Sequence, residues 1–241
     1  MKTKFFIGTS GFMYDWNPDG LEWYLQNSGL NALEINMPFY RFPFPSMVTS
    51  WAKKTKEIKK EFKWAVKVNR LITHVFKFNE RAFSTWKKFE KIFSSLDSFI
   101  AFYLFQLPPS LTIKAKERIA EFAKKTELGE RFALEAREIS WFSSEGIEFA
   151  KENSITFVSV DAPAFSNLPR DIFSTNRNVY LRMHGRTDWY FHNYSDKELG
   201  EILQKIFNNK PKQAYVFFNN DHGMLQNAQK LKSLVEKWKK S

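Results

Sequence analysis

The sequence predicts a closed α/β barrel, eight parallel strands each followed by a helix, and three observations carry that expectation. Eight short runs rich in β-branched and aromatic residues recur at a fairly steady spacing. Amphipathic segments with capping residues lie between most of them. No Gly-x-Gly-x-x-Gly or phosphate-loop pattern marks an open nucleotide-binding sheet, so right-handed crossovers between parallel strands are expected to close into a ring. The 241 residues suit one TIM barrel of about 250 residues. Residues 1–241 therefore read as a single domain, without linker, low-complexity tract or repeat.

The expected strands are residues 5–9, 32–37, 63–68, 100–107, 131–137, 155–161, 179–184 and 214–220. Ser46, Asn79, Thr112 and Ser195 precede amphipathic stretches and are the expected helix caps. The link after the sixth strand is the weakest, because Pro163 and Pro169 leave room only for a brief helix near residues 170–174.

Composition narrows the function classes. The chain is 43% hydrophobic with 26 Phe, 8 Trp and 8 Tyr, enough bulky apolar side chains for a large core. It has no cysteine, which removes disulfides, thiolate nucleophiles and cysteine-bound zinc, and suits a reducing, cytoplasmic interior. No apolar run reaches the length of a membrane span, and the start lacks the apolar stretch of a signal peptide. The net charge of +11 invites a nucleic-acid partner. Its lysines, however, fall in groups such as Lys53, Lys54, Lys56, then Lys87, Lys88, Lys91, then Lys237, Lys239, Lys240. Those are outward faces of different expected helices, and a solvated helical exterior accounts for them first.

The informative feature is the polar chemistry at the carboxyl ends of the strands. Residues two apart on a strand share a face, and five strands end in polar pairs: Glu34 with Asn36, Lys67 with Asn69, Glu135 with Arg137, Ser159 with Asp161, and Arg182 with His184. The other three end in Ser10, Gln106, and Asn219 with Asn220. Charged groups placed where aliphatics would pack cost several kcal/mol each unless paired or hydrated. Active sites of α/β barrels occupy this face, so a ligand pocket is expected there, against the alternative of an ion network that merely closes the barrel. The formal charges of Glu34, Glu135 and Asp161 nearly cancel those of Lys67, Arg137 and Arg182.

Glu34, Glu135, Asp161 and His184 are the expected catalytic groups, with His184 titrating near neutrality. Lys67 could hold an oxyanion or, if desolvated, form a Schiff base. His74 and His222 are weaker candidates, and His192 is expected to be exposed. Aromatics follow the strand ends, among them Tyr14, Tyr40, Trp141, Trp189 and Tyr190, and suit either stacking on a substrate or a hydrophobic lid. The expected substrate-binding set is Ser10, Tyr14, Asn36, Tyr40, Lys67, Gln106, Arg137, Trp141, Arg182, Asn219 and Asn220. No cofactor is indicated beyond a divalent metal that the carboxylates and His184 could hold, and one strand-end histidine is few for a multi-zinc site.

At these same positions the sequence resembles the YecE-like family, domain of unknown function 72. The residues carrying the resemblance are Gly8-Thr9-Ser10-Gly11 with Tyr14 and Trp16; Glu34-Ile35-Asn36 with Phe39-Tyr40; Lys67 with Ile72-Thr73-His74; Phe105-Gln106-Leu107-Pro108-Pro109; Glu135 and Arg137 with Ser140-Trp141; Asp161; Arg182-Met183-His184-Gly185-Arg186 with Trp189-Tyr190; and Phe218-Asn219-Asn220-Asp221 with Asn227-Ala228. The likeness runs almost end to end, implies a closed eight-stranded barrel, and supplies no reaction. Phe12 stands where the family pattern has Trp, Glu138 where His is common, and Leu225 where a small residue is usual. Glu138 in that place weakens a histidine-rich metal cluster. The residues themselves favour a hydrolase-like enzyme acting on a small polar sugar- or phosphate-containing substrate, ahead of a non-catalytic or nuclease-like nucleic-acid-binding protein using basic exterior and aromatic rim. No obligate partner is implied.

Overall fold

The computed structural model describes residues 3–238, so Lys239 and Lys240 lie outside the described residues. Eight parallel strands close in sequence order: β1 (Lys4–Ser10), β2 (Ala32–Ile35), β3 (Lys63–Lys67), β4 (Ile100–Gln106), β5 (Phe132–Glu135), β6 (Thr156–Asp161), β7 (Asn178–Met183) and β8 (Gln213–Phe218). The seam is the β1–β8 pairing, with Phe5 beside Ala214 and Thr9 beside Phe218. Six strands stop one or two residues before the sequence pattern does, while β6 ends at Asp161 as expected and β1 runs one residue further, to Ser10. Asn36, Asn69, Arg137, His184 and Asn219 thus leave the ladder at its carboxyl end.

The helices are α1 (Gly20–Asn27), α2 (Met37–Tyr40), α3 (Pro45–Glu57), α4 (Glu80–Phe93), α5 (Lys116–Thr126), α6 (Ser144–Glu152), α7 (Asp196–Asn208) and α8 (Met224–Trp238). Each long helix buries one stripe, as α4 does with Ala82, Trp86, Phe89 and Phe93, while Lys87, Lys88 and Lys91 face outward. Asn79 caps α4 by accepting from the Ala82 amide, and Ser195 forms a reciprocal capping box with Glu198 at α7. Two other expected caps are corrected. Pro45, with φ already suited to a first turn, starts α3 ahead of Ser46. Thr112 makes no side-chain cap, and the Ile113 amide goes to Ser140 Oγ instead.

No helix forms at residues 170–174. That segment is held open by side-chain bonds, Arg170 Nε to the Ala162 carbonyl at 2.8 Å and the Phe173 amide to Ser159 Oγ at 2.8 Å. The helical turn in the connection from β6 to β7 is Ala164–Ser166.

Inside the ring Phe6, Phe102, Tyr180, Tyr215 and Phe217 alternate with Ala32, Ala65 and Ala133, so large rings fill space that small residues on facing strands leave. Phe6 stacks on Tyr215 at 4.7 Å, and Phe102 meets Tyr215 at 4.8 Å and Tyr180 at 5.0 Å. These rings form a floor. The next inward positions toward the carboxyl end, Ser10, Glu34, Lys67 and Arg182, stand on it. Among the described residues no helix is long and apolar enough to cross a membrane.

Candidate active site

Strand parity decides what enters the mouth. Ala32, Ala65, Ala133 and Tyr180 face the interior, so Glu34, Lys67, Glu135 and Arg182, two residues further on, face it as well. On β6 the interior residue is Val158, which turns Ser159 and Asp161 to the opposite side. This corrects the expectation that Asp161 joins the pocket. Its carboxylate binds Arg186 through Nε and Nη2 at 3.0–3.1 Å and the Tyr194 hydroxyl at 3.0 Å, between the barrel and α7. Gly185, at φ +107°, makes that outward turn possible, since a Cβ there would lie 2.6 Å from the Asp188 carbonyl oxygen.

At the centre of the mouth Arg182 bridges two carboxylates. Its Nε and Nη2 reach Glu34 at 2.6–3.1 Å and its Nη1 reaches Glu135 Oε2 at 2.6 Å. Tyr180 and Ser10 donate hydroxyl bonds to Glu34 at 2.5 and 2.6 Å. Arg137 Nη2 lies 2.5 Å from Glu135 Oε1, which also accepts from Gln106 at 3.0 Å. Burial alone would raise the Glu135 carboxyl, but Arg137 and Arg182 outweigh it and hold the group well below the usual carboxylate range. It is a fixed anion, with no proton to give.

His184 is fully buried. Guanidinium groups only donate, so Arg137 at 3.2 Å and Arg182 at 3.4 Å require a lone pair on His184 Nε2. The ring proton then sits on Nδ1, and the Asn219 amide, whose Nδ2 stands 3.2 Å away, hydrogen-bonds there once it is turned to present its oxygen. Burial, then Arg182 and Arg137, push the imidazole down to about 3. His184 is therefore neutral across the physiological range, a correction to the expected titration near neutrality.

Lys67 differs from every other charge in the mouth. No ion pair joins it to a carboxylate among the described residues, and its Nζ rests 4.1 Å from the Phe39 ring centroid. Burial, reinforced by Arg182 and Arg137 and only partly opposed by Glu135 and Glu34, lowers its amine to about 7. His74, in the π-helical turn Leu71–Val75 after β3, meets Phe39 at 5.1 Å and is held down to about 4 by burial and then by Lys67. With Asp161 turned away, two carboxylates face Arg137, Arg182 and Lys67, so the mouth holds one basic group, Lys67, beyond those the carboxylates pair.

The remaining expected site residues divide. Asn36, Gln106 and Asn219 are half-buried at the rim of this cluster. Trp189 covers it, with Arg137 4.9 Å from its ring and His184 5.4 Å away. Tyr14 and Asn36 line an adjoining, mainly apolar cavity of about 470 Å³ with Met13, Met47, Trp51 and Arg41, which Ser10 shares with the charged cluster. Tyr40 is exposed on α2. Trp141 is fully buried and donates to the Leu111 carbonyl at 2.7 Å, so it is packed behind the barrel wall. Asn220 bonds the His192 carbonyl and Asn227, bracing loops. His192 is bonded to Glu198 at 3.0 Å and only slightly exposed, contrary to expectation, and His222 lies in a turn before α8. Tyr180 was missed, although it lies two residues before Arg182 on the same face.

The residues do not fit a resident divalent metal. Both mouth carboxylates are saturated by guanidinium, hydroxyl and amide donors, Asp161 is elsewhere, and among the described residues no group of three or more His, Asp and Glu is arranged to hold an ion.

The family described as "Protein of unknown function DUF72" matches residues 6–241. A DUF72 family protein from Thermotoga maritima is 26% identical with a TM-score of 0.80, over 97% of this chain and 99% of its own. One from Enterococcus faecalis is 20% identical with a TM-score of 0.83, over 96% and 95%. D-psicose 3-epimerase from Clostridium cellulolyticum shares the barrel at 17% identity and a TM-score of 0.54, over 98% and 99%. No curated protein matches the sequence.

Proposed function

This chain belongs to the DUF72 family, and we propose that it is an enzyme acting on a small polyhydroxylated, sugar-class substrate at the mouth of its barrel. One observation carries the reading: among the described residues Lys67 is the basic group facing the mouth that no carboxylate pairs with, beside a lattice of carboxylates and guanidiniums locked onto one another. Fixed donors and acceptors orient a polar substrate, and an amine poised near neutrality moves its proton. The amides of Asn36, Gln106 and Asn219 suit hydroxyl groups, since each offers both a donor and an acceptor. A barrel neighbour is named for a sugar; that likeness is of fold, and the side chains carry the assignment.

Hydrolysis of the two-carboxylate kind is disfavoured within this reading. It needs one protonated carboxyl, whereas Glu135 is held as an anion by two arginines and Glu34 is bound by Arg182, Tyr180 and Ser10. We assign Glu34, Glu135 and His184 to positioning and Lys67 to proton transfer. Nucleic-acid binding draws support from the exposed rim aromatics Tyr40, Phe44 and Phe191. Against it, outer-face lysines are neutralised locally, Lys54 by Glu22, Lys87 by Glu90 and Lys125 by Glu80 and Glu121.

The test is a thermal-shift and calorimetric panel of aldoses, ketoses and their phosphates. At least one should raise the melting temperature of the wild type, and Lys67→Met and Arg137→Gln should lose that rise. A panel without any binder, alongside salt-dependent binding to single-stranded oligonucleotides, would overturn the reading.

A further inference from the structure

Among the described residues the lattice of ion pairs at the mouth leaves out one amine. β3 carries Lys67 into the inner layer, where it is almost fully buried. The groups around it come from four elements: Glu34 from β2, Phe39 from α2, Glu135 and Arg137 from the end of β5, and Arg182 from β7. Both carboxylates are already engaged, Glu34 by Arg182, Tyr180 and Ser10, and Glu135 by Arg137, Arg182 and Gln106. What Lys67 has instead is an aromatic face at 4.1 Å. A ring stabilises an ammonium far less than a carboxylate does once two guanidiniums stand nearby. The neutral amine, with a free lone pair, is the form this environment favours.

A desolvated lysine beside other cations is a nucleophile toward carbonyl carbon. We propose that Lys67 forms an imine with the carbonyl carbon of an open-chain aldose or ketose. The proposal rests on the sugar-class reading above and adds a covalent bond to it. The nitrogen lone pair forms the C–N bond as the carbonyl π pair moves onto oxygen, and one amine proton passes to that oxygen to give a carbinolamine. The second amine proton leaves with the hydroxyl as water, which takes the C–O bond pair while the nitrogen lone pair closes the C=N bond. One amine and one carbonyl yield one imine and one water, with no redox change and no co-reactant. His74, from the turn after β3, packs against the same Phe39 ring and is kept uncharged by burial and then by Lys67. Asn36, Gln106 and Asn219 take the hydroxyls that flank the carbonyl.

The experiment uses the full chain with glyceraldehyde or dihydroxyacetone, each with cyanoborohydride, which reduces imines to stable amines. Peptide mass mapping then locates the adduct. At pH 7 Lys67 should carry at least about tenfold more adduct than exposed Lys53 or Lys88, because neutral amine is far scarcer on an ordinary lysine. Its labelling should be half-maximal near pH 7, whereas the exposed lysines should still gain toward pH 10. Adduct spread over exposed lysines, with Lys67 no higher, overturns the imine. Melting shifts by the same two sugars, measured without reductant, separate the two readings. A shift lost in Lys67→Met but unaccompanied by adduct on wild-type Lys67 keeps the sugar-class site and removes the imine. Neither shift nor adduct across the panel removes both.

Discussion

Two ionic clusters crown the same end of the barrel, one inside the ring and one outside it. The inner cluster joins Glu34, Arg182, Glu135 and Arg137 and leaves Lys67 unpaired. The outer one joins Asp161, Arg186 and Tyr194, and Arg186 reaches on to Glu198 and Glu201 near the surface. The outer cluster closes on itself and ties β6 to the β7–α7 connection. The inner cluster holds one basic group more than its carboxylates can pair, which is a cost to the fold whenever Lys67 is protonated and a resource for binding. Charge at a strand end is thus structural or functional according to whether its partners exhaust it.

That contrast can be broken by experiment, most forcefully at the two arginines. Arg182→Met leaves Glu34 and Glu135 buried without their shared cation and should cost about 3–5 kcal/mol. Arg186→Met strands one buried carboxylate where Arg182→Met strands two, and the Tyr194 hydroxyl still donates to it, so the cost should be smaller, about 2–3 kcal/mol. Urea unfolding measures both, and equal losses would mean that the clusters are alike.

Lys67 sharpens the comparison next. Its amine is lowered to about 7 in the folded protein against about 10.4 in an unfolded chain. Between those values the unfolded chain binds more protons, so stability rises with pH across the window, by up to about 1.4 kcal/mol per pH unit. Below pH 7 both states are protonated and the full penalty remains. Lys67→Met should therefore be more stable than wild type by about 1–3 kcal/mol at pH 6. The advantage should shrink steadily toward pH 10 while sugar binding is lost at every pH. A Met variant less stable than wild type at pH 6 would show that Lys67 is satisfied after all.

The histidines act at the acid end. His184 and His74 have folded values of about 3 and 4, below the ordinary 6.5, so the unfolded chain takes up protons first as pH falls. Stability is retained above about pH 6.5 and drains away toward pH 3. His184→Gln, which keeps acceptor and donor ends, should flatten this loss by up to about 1.4 kcal/mol per pH unit. An unchanged acid limb would place the proton uptake elsewhere. The smallest effect belongs to Trp141→Phe, which removes the bond to the Leu111 carbonyl and should cost about 1 kcal/mol without altering ligand affinity. A change in affinity would restore Trp141 to the binding surface.

The eight strands, their order and the pairing of Glu34 with Asn36, Glu135 with Arg137 and Arg182 with His184 along their strands were legible in the sequence. Alternation is a local property that needs only φ and ψ of a few residues. Four features were settled only by the closed ring. Sequence could not tell whether Val158 and Val160 or Ser159 and Asp161 face inward on β6, because strands in an α/β barrel are buried on both sides and polarity does not distinguish the faces. The near-cancelling charges pointed to pairing at the strand ends without naming Arg182, 148 positions away, as the partner of Glu34. Sequence placed a helix at residues 170–174, where Ser159 and Ala162 supply the bonds that a helix would have made for itself. And it gave His184 an ordinary pKa, since desolvation and the field of two guanidiniums exist only once distant strands bring them together. Local periodicity determined which residues share a face; closure of the barrel decided what that face would see.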